Sequence, residues 1–201
     1  MKPTYKGFEA KKSDGFVSLP PVGAYVAEIK EVRVVEQFEH QFIEMMMDIT
    51  EGEYKGRFVD VWNANRERFG DNAKFKGIFR MRIPVENDEE WVRRTFEGNL
   101  WCVQESNPGY AWDWDEKKLK GKKVGINLRK RLYTYTNAQG ETKDGETVEI
   151  GKFETIDDVR NGKCKPMRDR DTRQKRDADD SPDSTDGSNF TDVSESVPVP
   201  W

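Results

Sequence analysis

The alternation of apolar and polar residues predicts a β-strand over residues 24–36. Apolar side chains occupy odd positions up to Ile29 and even positions from Val32 onward. One extra residue near Lys30-Glu31 accounts for this change of phase, which predicts a β-bulge. Because a bulge lets a strand bend, we expect this strand to serve both halves of a small barrel.

The same alternation predicts two more strands, over residues 41–50 and 57–64, joined as a hairpin. Alternation places the three methionines of the first strand on two faces, which favours core packing over a cofactor site. On the second strand, Phe58 and Trp62 share a face with Asp60. The pattern leaves open whether these two aromatic side chains stack on bases or fill the core.

A helix follows a segment, residues 65–86, in which the pattern does not distinguish helix from strand. Asn87 is a good helix cap, Glu90 lies three residues further on, and Gly98 is a typical terminator. The sequence therefore predicts a helix between Asn87 and Gly98.

The fourth predicted strand follows residues 119–123 and separates two kinds of side chain. Its apolar residues Val124, Ile126, Leu128 and Leu132 are expected to face inward. Its outward residues are expected to be Lys123, Asn127, Arg129, Arg131, Tyr133 and Tyr135. A fifth strand is predicted over residues 147–153, and Thr155, Asp158 and Gly162 predict a short final helix.

This order of elements predicts a mainly β protein with a five-stranded OB-type barrel and a helix between strands 3 and 4. We expect one domain over residues 17–168, preceded by a flexible arm at 1–16. Residues 169–201 contain few apolar side chains, so they cannot bury enough surface to offset the entropy of ordering. We therefore expect a disordered tail there.

Charge is distributed unevenly along the chain. Residues 177–201 contain seven acidic residues and no Lys or Arg, so the net charge of this segment is −7. Because the whole chain has a net charge of −4, residues 1–176 have a net charge of +3. An acidic average is therefore compatible with a polyanionic partner for the folded part.

The strongest candidate chemistry lies in residues 117–140, which hold eight Lys or Arg and no acidic residue. Basic grooves with interleaved aromatics are typical of proteins that bind single-stranded nucleic acid. The predicted phosphate-binding residues are Lys120, Lys122, Lys123, Arg129 and Arg131. The predicted base-stacking residues are Trp62, Tyr110, Trp112, Tyr133 and Tyr135. The alternative is that the basic residues solubilise an exposed strand while the aromatics, Trp112 and Trp114 included, belong to the core.

Catalytic motifs are absent from the sequence, and its one histidine, His40, has no nucleophile nearby. Glu28-Ile-Lys30 has the form of a nuclease motif, with Asp48 or Asp60 as a possible third group, so a metal-dependent nuclease is a minor alternative. Cys102 and Cys164 lack the spacing of a zinc site and are expected to be free thiols. We expect a protein that is not an enzyme and needs no cofactor.

The N-terminus has no apolar signal segment, and no stretch is long enough to span a bilayer. These features predict a cytoplasmic protein with no membrane partner. The sequence leaves the oligomeric state open, a homodimer included.

Four segments resemble a run found in small bacteriophage single-stranded DNA-binding proteins. They are residues 105–110 (ESNPGY), 119–125 (LKGKKVG), 144–145 (DG) and 155–162 (TIDDVRNG). The similarity extends from Gly23 to Lys165. It implies an OB-type barrel that binds single-stranded DNA in phage replication or recombination, within a bacterial host, without catalysis.

The C-terminus is similar to the acidic tails of bacterial single-stranded DNA-binding proteins, which end in a proline–aromatic pair. Here Pro198, Pro200 and Trp201 form the apolar tip, with tryptophan where phenylalanine is usual. This likeness implies that the tip recruits replication or recombination proteins and that the tail regulates access to the DNA site. The alternative is a protein-interaction adaptor or recombinase loader that uses the barrel to bind protein.

Overall fold

The computed structural model describes residues 17–137 and 139–173, which form one sheet with three α-helices packed against it. The elements are β1 (Gly23–Gln37), β2 (His40–Ile49), α1 (Arg57–Phe69), β3 (Ile78–Arg82), α2 (Glu90–Ser106), β4 (Lys123–Thr136), β5 (Thr142–Glu154), α3 (Ile156–Arg160) and β6 (Arg170–Asp171). None of the helices in these residues is both long and apolar enough to cross a membrane.

The sheet is open. Its order is β3-β2-β1-β4-β5 with antiparallel neighbours, and the short β6 pairs with β4 in parallel. No hydrogen-bonded ladder joins the edge strands β3 and β5 in the part of the chain described. The expectation of a mainly β protein is therefore confirmed, whereas these strands do not close into a five-stranded barrel.

Strand β1 connects the two halves of the sheet. Its first part, Gly23 to Glu28, pairs with β4, while Ala27 to Gln37 pairs with β2. The register shifts between Ile29 and Glu31, so the predicted bulge is confirmed. Because a bulge increases twist and bending, β1 leaves β4 at this point and continues with β2 alone.

Helix α2 packs one face on the sheet and continues beyond its predicted end. Its buried residues recur at helical spacing on one face: Val92, Phe96, Asn99, Leu100 and Val103. Gly98 lies on the other side, where an added Cβ would meet no atom within 4 Å. The apolar residues after Gly98 keep the period of the helix, so burial of that face outweighs the low helix propensity of glycine.

The predicted strand over residues 57–64 is wrong, because this segment belongs to helix α1. Phe58, Val61 and Trp62 are buried at i, i+3 and i+4 spacing. Gly56 precedes the helix in a left-handed conformation, φ 75°, and no side chain at that position caps it. The cap comes from β2 instead: Asp48 Oδ1 accepts hydrogen bonds from the Phe58 N–H at 3.0 Å and the Ile49 N–H at 2.9 Å.

A buried carboxylate links the three strands β1, β2 and β3. Glu44 is 2% exposed and lies opposite Arg33 on one side and Arg80 on the other. The Glu44 carboxylate contacts Arg33 Nη2 at 2.6 Å and Arg80 Nε at 2.5 Å. Since an unpaired buried charge is costly, a register slip in either pair of strands would be strongly disfavoured.

Replacement of Gly98 by alanine is expected to stabilise the fold. The position is helical, φ is not positive and the space around it is open. Glycine costs roughly 0.5–1 kcal/mol relative to alanine inside a helix, so Gly98→Ala should raise the free energy of unfolding by about that amount. Urea denaturation checks this, and a lower midpoint at unchanged slope would contradict it.

Two substitutions at Asp48 separate its charge from its role as a cap. Asp48→Ala removes the acceptor and is expected to cost roughly 1–2 kcal/mol of stability, as lost helix caps do. Asp48→Asn keeps an acceptor oxygen and should cost much less.

The difference in stability between the wild type and Asp48→Asn is expected to depend on pH, because of the environment of Asp48. Burial raises the pKa of Asp48 above its ordinary value, outweighing the backbone N–H groups that lower it. The ionised form is therefore disfavoured in the folded state. The wild type should gain stability relative to Asp48→Asn as the pH falls through that raised pKa, in parallel thermal melts.

Candidate nucleic-acid interface

The long β4–β5 hairpin carries four of the predicted site residues beyond Leu128: Arg129, Arg131, Tyr133 and Tyr135. Asn137 closes its turn, since its Oδ1 accepts hydrogen bonds from the N–H groups of Gln139 and Glu141 at 3.0 and 2.8 Å. Beyond Leu128, alternate side chains of β4 share one face with their partners on β5 and β6. We call this surface the tyrosine face; its members are Arg129, Arg131, Tyr133, Tyr135, Lys143, Gly145, Thr147, Glu149, Arg170 and Thr172.

Tyr133 lies across the neighbouring strand because its cross-strand partner is a glycine. A Cβ added at Gly145 would be 2.8 Å from Tyr133 Cζ. With the ring covering Gly145, the opposite side of the ring points away from the sheet. Tyr135 is 44% exposed, and its ring centroid is 6.1 Å from that of Tyr133. The two rings form a small aromatic surface at the end of the hairpin.

Cations outnumber carboxylates around these rings. Arg129 Nε and Arg170 Nη1 share the Glu149 carboxylate at 2.8 and 3.6 Å. Arg131 forms no ion pair with the described residues and donates to Thr172 Oγ1 at 3.5 Å. Lys143, opposite Tyr135, contacts Glu141 at 3.1 Å. Four cations against two carboxylates leave a net positive surface beside the tyrosines, as phosphate binding requires.

Residues 123–128, the lower half of β4, do not present the exposed face that the alternation predicts. At Gly125, an added Cβ would lie 2.6 Å from Val159 Cγ2, so α3 covers this position. Asn127 is 1% exposed and donates to the Lys165 carbonyl at 3.0 Å and to Glu154 at 2.9 Å. The expectation of one outward face from Lys123 to Tyr135 is therefore wrong, because the chain after α3 folds back over it.

The lysine-rich end of the predicted site is far from the tyrosine face. Lys123 and Tyr135 are twelve residues apart on β4, which corresponds to roughly 40 Å along a strand. Lys120 is paired with Glu31. Lys122 Nζ lies 4.7 Å from the Tyr110 ring centroid, so one face of that ring is occupied by the ammonium. Lys123 is exposed and forms no ion pair with the described residues.

Two of the predicted stacking residues are held inside the fold. Trp62 is 8% exposed and packs edge-on against Phe75, which assigns it to the core. Tyr110 is half-buried, and burial raises the pKa of its hydroxyl to about 12. Its oxygen has no hydrogen-bond partner in the described part of the chain. Neither ring is free to stack on a base in this conformation.

The two neighbouring tryptophans, which the sequence left open between base stacking and the core, differ in exposure. Trp112 is half-buried and contacts Phe96 edge-on, with its Nε1 buried. Trp114, which the site prediction did not include, is 67% exposed and stacks on Phe96 with ring centroids 5.8 Å apart. Its φ of 66° is unusual for a residue other than glycine. Alternation along residues 110–114 could not show which of these rings the tertiary structure covers.

The structure describes residues up to 173, so it includes the first residues of the predicted tail, 169–201. Strand β6 pairs Arg170 with Arg131 and Asp171 with Leu132, and the Thr172 N–H donates to the Leu132 carbonyl at 2.8 Å. The predicted domain boundary at residue 168 falls just before this strand. The predicted arm at 1–16, the acidic stretch from 177 and the tip residues Pro198, Pro200 and Trp201 lie outside the described residues.

The other candidate chemistry consists of groups with structural contacts. Lys30 Nζ pairs with Glu28 Oε1 at 2.9 Å, and Asp48 caps α1. No cluster of three or more His, Cys, Asp or Glu that could hold a metal occurs within residues 17–137 and 139–173. Cys102 is buried and Cys164 half-buried, both as free thiols. Burial raises the pKa of the Cys102 thiol to about 11.

No protein-family model matches this chain, and no curated protein matches it significantly. The geometry of the described residues is therefore the basis for assigning a function.

Proposed function

We propose that this protein binds single-stranded nucleic acid through the tyrosine face of the β4–β5 hairpin. The observation that carries the proposal is the pair of adjacent rings, Tyr133 and Tyr135, within a surface where four cations outnumber two carboxylates. Aromatic rings stack on any base, and cations follow the phosphate backbone. Binding is expected to be largely independent of sequence and to weaken with added salt.

The order of the elements supports an OB-type relationship. The strands run β3-β2-β1-β4-β5, and α2 lies between β3 and β4. The OB-fold is a five-stranded, partly open barrel with a Greek-key order, and it commonly binds oligonucleotides. Together with the resemblance to phage proteins, this favours single-stranded DNA in replication or recombination as the ligand and its setting, without catalysis.

The predicted tail supplies the second part of the proposal. A segment of charge −7 competes with DNA for a basic surface, and an apolar segment that contains two prolines and an indole fits an apolar pocket on a partner. We propose that Pro198, Pro200 and Trp201 recruit replication or recombination proteins.

Removal of either ring is expected to weaken binding. Tyr133→Ala and Tyr135→Ala should each cost about 1–3 kcal/mol, or about 5- to 150-fold in Kd, as the loss of one stacked base does. Gly145→Ala should weaken binding as well, because the new methyl group tilts the Tyr133 ring. Fluorescence anisotropy of a labelled oligo-dT strand measures each Kd.

Two matched variants test whether the effect belongs to this surface. Tyr135→Phe keeps a stacking ring and should bind nearly as the wild type does. Trp101→Ala removes a ring that is 53% exposed on α2 and does not belong to the tyrosine face, so it should leave Kd unchanged. Equal losses in all variants would indicate general destabilisation and would count against the tyrosine face.

Deletion of residues 177–201 is expected to tighten DNA binding, because it removes seven negative charges that compete with phosphates. The gain should be largest at low salt and should shrink as salt screens the tail. The same anisotropy titration at two salt concentrations measures it. Unchanged or weaker binding by the truncated protein would refute a regulatory role for the tail.

One observation favours the adaptor as a second candidate. Trp91 and Trp101 are 57% and 53% exposed on the outer side of α2, on either side of Gly98. Aromatic side chains, tryptophan among them, are enriched in protein interfaces. An adaptor would show no salt-dependent affinity for oligo-dT, which distinguishes the two functions.

A further inference from the structure

The segment after α3 is itself strongly basic. Residues 163–173, which we call the strap, contain five Lys or Arg and two Asp, a net charge of +3. This run lies outside residues 117–140, which carry the strongest basic signal in the sequence. Unlike that run, the strap contains no aromatic residue, so the sequence pattern gives no reason to connect it with nucleic acid.

Four contacts hold the strap against the sheet. The Lys165 carbonyl accepts from buried Asn127, and Met167 packs where a Cβ on Gly151 would lie 2.5 Å from its Sδ. Further along, Arg170 contacts Glu149 at 3.6 Å. The Thr172 hydroxyl and N–H both donate to the Leu132 carbonyl at 2.8 Å. The strap therefore follows β4 and reaches the tyrosine face at Arg170 and Thr172.

The anchoring contacts leave the charges of the first half of the strap directed to solvent. Lys163, Lys165 and Arg168 are exposed, and none of them forms an ion pair with the described residues. In contrast, four of the eight cations in residues 117–140 are paired with carboxylates: Lys118, Lys120, Arg129 and Lys130. Because neutralised cations attract phosphates weakly, the first half of the strap adds three uncompensated cations to Arg131, which has no ion pair on the tyrosine face.

We propose that the strap is a phosphate-binding track that leads a single strand onto the tyrosine face, with Lys163, Lys165 and Arg168 as its contacts. This inference rests on the proposed function and adds residues to it. The strap covers the lower half of β4 and replaces that surface with its own cations. It is part of the binding surface and not a lid that must leave before DNA can bind.

The test is the salt dependence of DNA binding in the full chain. The variant Lys163→Gln/Lys165→Gln/Arg168→Gln removes three exposed charges without touching the anchoring contacts. The slope of log K against log salt changes by about 0.7 per phosphate contact on single strands, so it should become shallower by about 2. Anisotropy with labelled oligo-dT between low and moderate NaCl measures the slope.

A control variant with the same change in charge is available elsewhere. Lys55→Gln/Arg68→Gln/Lys74→Gln alters exposed cations on and around α1, whose main contacts with the sheet are to β2. Its slope should equal that of the wild type. Thermal melts show whether both triple variants are folded; if the strap variant is not, the single changes Lys163→Gln and Arg168→Gln should each reduce the slope by about 0.7.

The outcomes separate the two proposals. A shallower slope in the strap variant alone supports the track. If the wild type binds with a steep slope that the strap variant retains, the track is refuted while the proposed function stands. Tighter binding by the strap variant would show instead that the strap obstructs the site. If the wild type does not bind oligo-dT at any salt concentration, the proposed function fails and the track fails with it.

Discussion

The division of β1 between two neighbouring strands, β4 and β2, is the constraint on which the rest of the structure depends. Strand β1 pairs with β4 from Gly23 to Glu28 and with β2 from Ala27 onward, so it holds the two halves of the sheet together. After the bulge between Ile29 and Glu31 it follows β2 alone. Residues 129–136, the upper half of β4, have no partner in β1 because β1 begins at Gly23, opposite Leu128. The last described strand, β6, occupies part of that edge. The hairpin that carries Tyr133 and Tyr135 thus extends beyond the central sheet, where a ligand can reach it.

Buried polar groups fix the geometry around this framework. Glu44 sets the register of β1, β2 and β3 through its two arginines, and Asp48 ties the start of α1 to β2. Asn127 ties the strap to β4, because its side-chain amide donates a hydrogen bond to the Lys165 carbonyl. Each of these groups is satisfied by partners distant in sequence, so each of them disfavours alternative packings more strongly than an apolar residue would.

Charge compensation decides which basic residues can serve a ligand. The run at residues 117–140 is dense in cations, yet folding brings Glu31, Glu149 and Glu146 against three of them. The strap shows the opposite behaviour, because its first three cations face solvent while its backbone and Met167 make the contacts. The proposed surface therefore combines aromatic rings from β4 with cations from β4, β5 and the strap.

The sequence alone determined features that depend on neighbours along the chain. Period-2 alternation located β1, β2, β4 and β5, and the change of phase located the bulge. Capping residues located α3 and the start of α2 to within a few residues. The sequence also identified Tyr133, Tyr135 and Arg131 as members of one face.

Features that depend on distant contacts were decided by the tertiary structure. Residues 57–64 alternate like a strand but form a helix, because Asp48 caps them and Phe58, Val61 and Trp62 pack on β2. Asn127 and Arg129 alternate outward like Tyr133, yet the returning strap covers the first and Glu149 neutralises the second. Periodicity gives the side of a strand on which a residue lies, and only the folded chain determines what else lies on that side.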